Sequence, residues 1–332
     1  MDRVQLSHGG GGRLMHQLVR DFFVPAFDLQ TLNDSAIVER PSSGRVAVTT
    51  DSYVISPYFF PGGDIGLLSV CGTVNDLSMA GARPLYLTTG FILEEGMPIA
   101  DLRRILSSMK AAAEEIGVKI VAGDTKVVEK GKGDGIYINT AGFGLVDEGV
   151  ELSPEKIRPG DKVIISGSIG NHGMAVMAER SGISFAPPLL SDVCPLNHLV
   201  GVMMQTTKDI RVLRDPTRGG IATTLKEFAQ DSGWCIMIQE ELIQVRPAVQ
   251  GACELLGIDP LYVANEGILL AVVAAPAADM LVAAMRNTKT GSDACILGEV
   301  MESPRNTVLL KTTIGGRRII DMISGEQLPR IC

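Results

Sequence analysis

The first half of the chain places acidic residues at the ends of predicted strands, beside glycine or small polar residues. They are Asp34 in Leu32-Asn33-Asp34-Ser35-Ala36, Asp51 in Thr49-Thr50-Asp51-Ser52, Asp76 in Thr73-Val74-Asn75-Asp76-Leu77 and Asp124 in Ala122-Gly123-Asp124-Thr125-Lys126. Asp51, Asp76 and Asp124 each interrupt an apolar context, where burial without a partner is costly. Carboxylates gathered in this way are the usual ligands of Mg²⁺, which takes one or two acids plus substrate phosphates. Any one of them alone also reads as a helix cap or a turn residue. Lys126 either supplies the positive charge that a phosphate wants or is a solvated surface lysine.

Glycine-rich segments add possible anion sites. Ser7-His8-Gly9-Gly10-Gly11-Gly12-Arg13 exposes backbone N–H groups that can wrap an anion, with Arg13 adding charge, although a flexible linker explains the composition about as well. Asp215-Pro216-Thr217-Arg218-Gly219-Gly220 precedes an apolar helix, so backbone donors and Arg218 stand at a helix start, a seat for phosphate or carboxylate. Neither a P-loop nor a complete G-x-G-x-x-G after a strand is present. Glu266, in Asn265-Glu266-Gly267 at the start of an apolar strand, is either a cap or a catalytic acid/base. His172, in Gly170-Asn171-His172-Gly173, is either a proton carrier or a hydrogen-bonded structural histidine.

The six cysteines include no pair two to four residues apart, so a zinc ribbon or a thioredoxin-like motif is not supported. Cys71, Cys235, Cys253 and Cys295 lie in apolar surroundings and read as small buried hydrophobes; Cys194 is ambiguous. Cys332 is the last residue and is either incidental or a thiol on a mobile arm, free to carry a covalent group. The polar, Gly- and Pro-containing stretch before it gives such an arm a reach of ~30 Å at about 3.3 Å per residue.

The elements that would position these groups alternate between strand and helix. Strands are expected at 45–49, 86–93, 118–122 and 136–146, with helices at 66–80 (Asp64 near its start) and 99–116. The Pro- and charge-rich segment 151–161 reads as a linker. Beyond it come a strand at 162–166, a Gly-rich turn at 167–173, a helix near 219–230 and strands near 267–274 and 294–300. Two α+β domains with mixed sheets follow, 1–150 and 151–323, with a mobile tail at 324–332.

The 332 residues suggest two domains at roughly 150 residues each. At 45% hydrophobic and 20% charged, the chain is too apolar for disorder. Thirty basic against 38 acidic residues, a formal charge of −8, argue against nucleic acid or an anionic membrane as partner. The opening residues lack the apolar region of a secretory signal, and Pro276 and Asp279 interrupt the most apolar stretch, so a soluble cytoplasmic protein is expected.

Val74-Asn75-Asp76-Leu77, Gly81-Ala82-Arg83-Pro84, Gly123-Asp124-Thr125, Asp215-Pro216-Thr217-Arg218-Gly219-Gly220 and Asn265-Glu266-Gly267 together resemble the aminoimidazole ribonucleotide synthetase superfamily of ATP-dependent enzymes. Ser7-His8-Gly9, Gly90-Phe91-Ile92-Leu93-Glu94-Glu95-Gly96 and the terminal Pro329-Arg330-Ile331-Cys332 are similar, more specifically, to its hydrogenase-maturation branch of carbamoyl dehydratases. A reactive Cys near the N-terminus, as in the selenophosphate synthetase branch, is absent. The resemblance implies a two-domain PurM-like α+β fold, mixed sheets flanked by helices, with a flexible C-terminal tail. It implies a homodimer through the N-terminal domains, which also bind ATP. It implies ATP-dependent dehydration of an S-carboxamide on Cys332 to a thiocyanate, the cyanide source of the [NiFe]-hydrogenase iron centre. A carbamoyltransferase maturation factor would load Cys332, and iron-scaffold maturation proteins would accept the cyanide. By the same resemblance Asp34, Asp51, Asp76 and Asp124 would hold Mg²⁺, and Gly9, Gly10, Gly11, Gly12, Asn75, Thr125, Asn139 and Thr140 would contact nucleotide. Glu266 would act as general base, Lys126 as phosphate clamp or proton partner, and Arg218 and His172 would touch phosphate or tail. Two other readings stay open: an ATP-dependent enzyme acting on a diffusible small molecule, and a nucleotide-binding assembly module without chemistry.

Overall fold

A computed structural model describes residues 2–9, 13–28, 43–322 and 331. Asp34, Gly10, Gly11, Gly12 and Cys332 therefore lie outside the described residues, as does the tail apart from Ile331.

The N-terminal part holds helices α1 (Arg13–Leu18), α2 (Val24–Phe27), α3 (Ile65–Met79) and α4 (Ile99–Ile116). Its strands are β1 (Arg45–Tyr53), the short pair β2 (Phe59–Phe60) and β3 (Gly63–Asp64), β4 (Ala82–Glu94), β5 (Lys119–Val128) and β6 (Ile136–Val146). The main sheet has the order β1-β6-β4-β5, with β4 and β5 parallel and the other pairs antiparallel. Side chains alternate across it. Tyr53, Leu87, Phe91 and Ile138 are buried on the face that carries α3 and α4. On the other face Val46, Val48, Ile92 and Phe143 stay exposed. Alternation of this kind is what a sheet with one covered face demands.

Helix α3 begins where Asp64 accepts the backbone N–H groups of Gly66 and Leu67 at 2.8 and 3.0 Å. It is buried at 13 of its 15 positions, all except Leu67 and Asp76, because the first sheet covers one side and the second domain the other. An almost wholly buried helix must account for its polar residues: Ser69 and Ser78 bond back to Gly66 and Val74 carbonyls, and Asn75 reaches into the second domain.

The second domain contributes β7 (Lys162–Ile165), α5 (Asn171–Ser181), α6 (Asn197–Thr206), β8 (Ile210–Arg214), α7 (Gly220–Ser232), β9 (Cys235–Gln239) and α8 (Pro247–Leu256). It continues with β10 (Leu270–Val273), α9 (Ala275–Arg286), β11 (Cys295–Met301), β12 (Thr307–Lys311) and β13 (Arg317–Ile320). Its mixed sheet runs β13-β12-β9-β11-β7-β10-β8. Both faces are covered. Val163, Ile165, Leu270 and Val272 pack with α7, whereas Ile164, Leu269, Ala271 and Val273 pack with α6 and α9. Strand β10, paired on both sides by β7 and β8, is consequently apolar at every position.

The helix at 99–116 and the strand at 136–146 are found at the expected limits. The strand expected to end at Thr49 continues to Tyr53, so Asp51 is a mid-strand residue, and Asp124 likewise lies inside β5. Among the described residues no helix is long and apolar enough to cross a membrane.

Candidate active site

Asp51, Asp76, Asp215 and Glu266 converge where α3 meets the second domain. In the pairing of β1 with β6, Asp51 stands opposite Thr140, whose hydroxyl donates to the Ser69 carbonyl of α3 at 3.1 Å; Asp51 is therefore on the α3 side of the sheet. The Thr49 hydroxyl, on the same side, donates to Asp76 at 3.0 Å. Asp215 follows β8 and is 8% exposed, and Glu266 precedes β10 and is 4% exposed.

These carboxyls perturb one another. Burial, above all, raises Asp76 to about 6, with Asp51 adding to it while the Thr49 hydroxyl and Arg214 oppose it. Burial, then the charges of Asp76 and Asp51, lifts Asp215 to about 7. Glu266 is pushed well above the carboxylate range by burial, then by Asp215, Asp192, Asp51 and Asp76. Acids held together out of water favour either a proton or a cation between them.

The backbone around Glu266 is fixed from several directions. The Asp192 carboxylate accepts the N–H groups of Glu266 and Gly267 at 3.2 and 3.0 Å. Gly267 has no room for a side chain, because a Cβ there would fall on the Asp192 carbonyl oxygen. Asn265 accepts from Gly170 N–H at 2.7 Å and donates to the Pro216 carbonyl at 2.9 Å, tying the starts of α5 and α7 to the Glu266 loop. Asn75 of α3 donates to the carbonyls of Cys194 and Glu266 at 3.1 and 3.3 Å and accepts from Leu196 N–H at 2.8 Å.

His172 is completely buried in α5. Its Nδ1 lies 2.8 Å from the Ser191 hydroxyl and its Nε2 2.5 Å from the carbonyl oxygen of Ile331. A carbonyl only accepts, so Nε2 carries the proton and Nδ1 accepts from Ser191. Burial pushes the ring down to about 4, so it is neutral at physiological pH. The His172 backbone N–H helps hold the Asp192 proton affinity down against burial, and Ser191 and Asp192, adjacent in the chain, contact His172 and the Glu266 loop respectively. Ile331 is 4% exposed and belongs to the same apolar cluster as Phe60, Val176, Val193 and Ala264.

The other expected site residues are distributed differently. Asp124 pairs across the sheet with Gly90, Asn139 and Ser52, on the face away from α3, and its carboxylate is ion-paired with Lys126 at 2.5 Å. Thus one chain brings Asp51 and Asp76 together but holds Asp124 and Lys126 on the opposite, open face. The cause is β-strand alternation: Asp124 is one residue out of phase with the inward-facing Thr125. Asn139 is also on the open face, donating to the Asp51 carbonyl and the Ser52 hydroxyl, both at 2.9 Å. Thr125 and Thr140 are buried on the α3 side. Gly9 ends a short 3₁₀ turn, Leu6–Gly9. Arg218 is exposed just before α7.

Asp192, Ser191 and the Asp215 carboxylate are site features that sequence reasoning did not assign. Asp215 lies inside a quoted motif, directly after a strand, which was signal enough. Leu190-Ser191-Asp192 lies in an irregular stretch and offered none. A large interdomain cleft of about 1400 Å³ reaches Asp192, Cys194 and Gly267, but Glu266, Asp215, Asp51 and Asp76 are not in its walls. The cleft and the acid cluster are therefore separate features.

Comparison with known proteins agrees with this architecture. Residues 32–146 match the family model of the AIR synthase related protein N-terminal domain, and residues 158–311 match that of the C-terminal domain. The carbamoyl dehydratase HypE of Cupriavidus necator is 52% identical over 333 residues, covering 99% of this chain and 95% of that protein. A crystal structure of hydrogenase maturation protein HypE in complex with ATP superposes with a TM-score of 0.95 at 45% identity, covering 99% of both chains. The structure of a HypE–HypF complex gives a TM-score of 0.82 at 49% identity over 92% of this chain and 99% of that one. By its two domains, and by identity along nearly its whole length, the chain belongs to the HypE family of carbamoyl dehydratases within the AIR synthase related proteins.

Proposed function

We propose that this chain uses ATP to dehydrate an S-carboxamide carried on its own Cys332, giving a thiocyanate whose cyanide is passed on for [NiFe]-hydrogenase maturation. The observation that carries this reading is the joining of the chain end to the acid cluster. Ile331 is hydrogen-bonded to His172, whose other ring nitrogen meets Ser191, and the next residue, Asp192, accepts the backbone N–H groups of the Glu266 loop. The relatives support it: one is named for carbamoyl dehydration and one was solved with ATP.

Loss of water from a carboxamide would expel hydroxide, a very poor leaving group. Transfer of the γ-phosphoryl group from ATP to the carboxamide oxygen releases ADP and makes that oxygen a phosphate. Elimination then breaks the C–O bond, forms the C≡N bond and leaves both nitrogen protons for bases. Glu266 is placed for this work. Burial and four neighbouring acids raise its proton affinity, and a cation held by those acids would offset their charge and free the Glu266 carboxylate to take a proton from nitrogen. A buried pocket also keeps water from the thiocyanate.

The acid cluster fits Mg²⁺, because carboxyls that raise one another are relieved by a cation. Asp51, Asp76 and Asp215 would hold it. Among the described residues no group of three or more such side chains could hold an ion by itself, so substrate phosphates would have to complete the ligand set. Bound there, it would neutralise charge on the transferring phosphoryl group.

A homodimer through the open face of the first sheet is part of the same proposal. Val46, Val48, Ile92 and Phe143 give that face exposed apolar surface, beside the Asp124–Lys126 pair. The partners proposed are a carbamoyltransferase, as the relative solved with HypF suggests, and iron-scaffold maturation proteins that take the cyanide. The five described cysteines are free, as suits a reducing cytoplasm.

The test is intact-mass spectrometry of the carbamoylated protein with ATP and Mg²⁺. Loss of one water, localised to the terminal peptide, is expected. Cys332→Ala should abolish the product while keeping nucleotide binding, and Glu266→Gln should slow dehydration by about 10²–10⁴-fold. Full turnover by Cys332→Ala on a free substrate would overturn the reading.

A further inference from the structure

We infer that His172 is the latch of the chain end: its Nε2–H holds the Ile331 carbonyl, and Ser191 keeps the imidazole in the one tautomer that can do so. The chemistry of this inference rests on the function proposed above; the latch itself rests on the geometry alone.

The Ile331 carbonyl is presented to a ring nitrogen at 2.5 Å inside a fully buried pocket. Ser191 holds the other nitrogen at 2.8 Å; its hydroxyl oxygen accepts from the Val193 N–H at 3.1 Å and its backbone N–H donates to the Pro61 carbonyl at 2.8 Å, which together hold the hydroxyl in place. Phe60 meets the imidazole edge-to-face with ring centroids 5.4 Å apart, which fixes the ring plane. If the proton moved to Nδ1, Nε2 would present a lone pair to a carbonyl oxygen and the contact would become repulsive. The contact is to main chain, one residue before the thiol. It can therefore set where Cys332 sits without touching the group that the sulfur carries. His172 is thus a positioning residue, acting through Ile331.

Two measurements on the full chain test this. The first is alkylation of uncarbamoylated Cys332 by iodoacetamide, read on the C-terminal peptide. His172→Phe keeps an aromatic ring against Phe60 but loses the donor. It should raise the alkylation rate about tenfold, the shift expected for one lost hydrogen bond. The second is single-turnover dehydration of the carbamoylated chain. His172→Phe should slow it by about 10–100-fold, with the KM for ATP unchanged, since misplacement rather than nucleotide binding is affected. His172→Gln, whose amide can again donate, should recover most of both losses. Wild-type alkylation and turnover in His172→Phe, or equal losses in His172→Gln and His172→Phe, would overturn the latch. Should His172→Phe fail to fold, Ser191→Ala decides. Faster Cys332 alkylation supports the inference, and an unchanged rate overturns it. A wild-type chain that never loses water, but whose Cys332 alkylation still responds to these substitutions, would overturn the function and leave the latch standing.

Discussion

His172 and Glu266 show burial acting with opposite sign on two side chains on either side of the Ser191-Asp192 segment. Burial removes the proton from His172, moving it from 6.5 to about 4, and adds one to Glu266, because each is driven towards its neutral form. For His172 the lowering is worth roughly 3 kcal/mol. Between pH 6.5 and about 4 the unfolded chain binds this proton and the folded chain does not. The contribution is therefore complete above pH 6.5 and is lost as pH falls through 4. Asp192, raised to about 6 mainly by burial, works the other way: its contribution is present below 3.8 and lost as pH rises through 6. Whole-protein stability mixes the two, so the histidine must be read directly. Ring ¹⁵N NMR should show His172 protonated on Nε2 alone at neutral pH, with a midpoint near 4. A midpoint near 6.5, or a proton on Nδ1, would contradict the assigned environment.

Helix α3 carries the site because it belongs to both domains at once. Its Asp76 faces the acid cluster, and the preceding residue, Asn75, bonds two carbonyls and one N–H of the second domain. Removing that amide leaves the Cys194 carbonyl and the Leu196 N–H unpartnered, at about 1–3 kcal/mol each less relaxation, while the Glu266 carbonyl keeps the Cys194 N–H. Asn75→Ala should therefore lower the unfolding free energy in urea by roughly 2–4 kcal/mol. A change within 0.5 kcal/mol would mean that the interdomain contact is dispensable. Much at this scale was readable in advance. The apolar residues of α4 recur at helical spacing, β6 is rich in β-branched and aromatic residues, and both elements matched to the residue. Strand β1 was cut short because Thr50-Asp51-Ser52 reads as a strand end. Those residues remain in strand because Thr50 and Ser52 face the open side while Asp51 turns towards the acids. The same local polarity that hid the strand revealed the carboxylate. Asp124 shows the converse: its motif was visible, but which face it takes depends on a phase of one residue that composition does not report. Asp192 and the Ile331 contact were beyond sequence reasoning, since both depend on segments far apart in the chain meeting around His172.

At the scale of the whole molecule the two sheets differ in what covers them, and the difference argues for a second copy. The seven-stranded sheet has helices on both faces, whereas the four-stranded sheet has them on one. Val46 and Val48 are each 63% exposed on its open face, with Ile92 and Phe143 on neighbouring strands of the same face. A row of β-branched and aromatic side chains on an otherwise acidic protein is costly to leave in water and natural to pair with its own copy. The face also carries Asp124 and Lys126, so pairing would place those charges in an interface next to the strands that bear Asp51 and Thr140 on their other side. An aspartate among these residues should break the association, since a buried unpaired carboxylate costs several kcal/mol. Val48→Asp is expected to shift sedimentation from dimer to monomer, weakening the dimer at least a hundredfold, while the far-UV circular dichroism is unchanged. A wild-type chain that sediments as a monomer at every concentration would refute the pairing, and Asp124 and Lys126 would then have to act, if at all, from solvent.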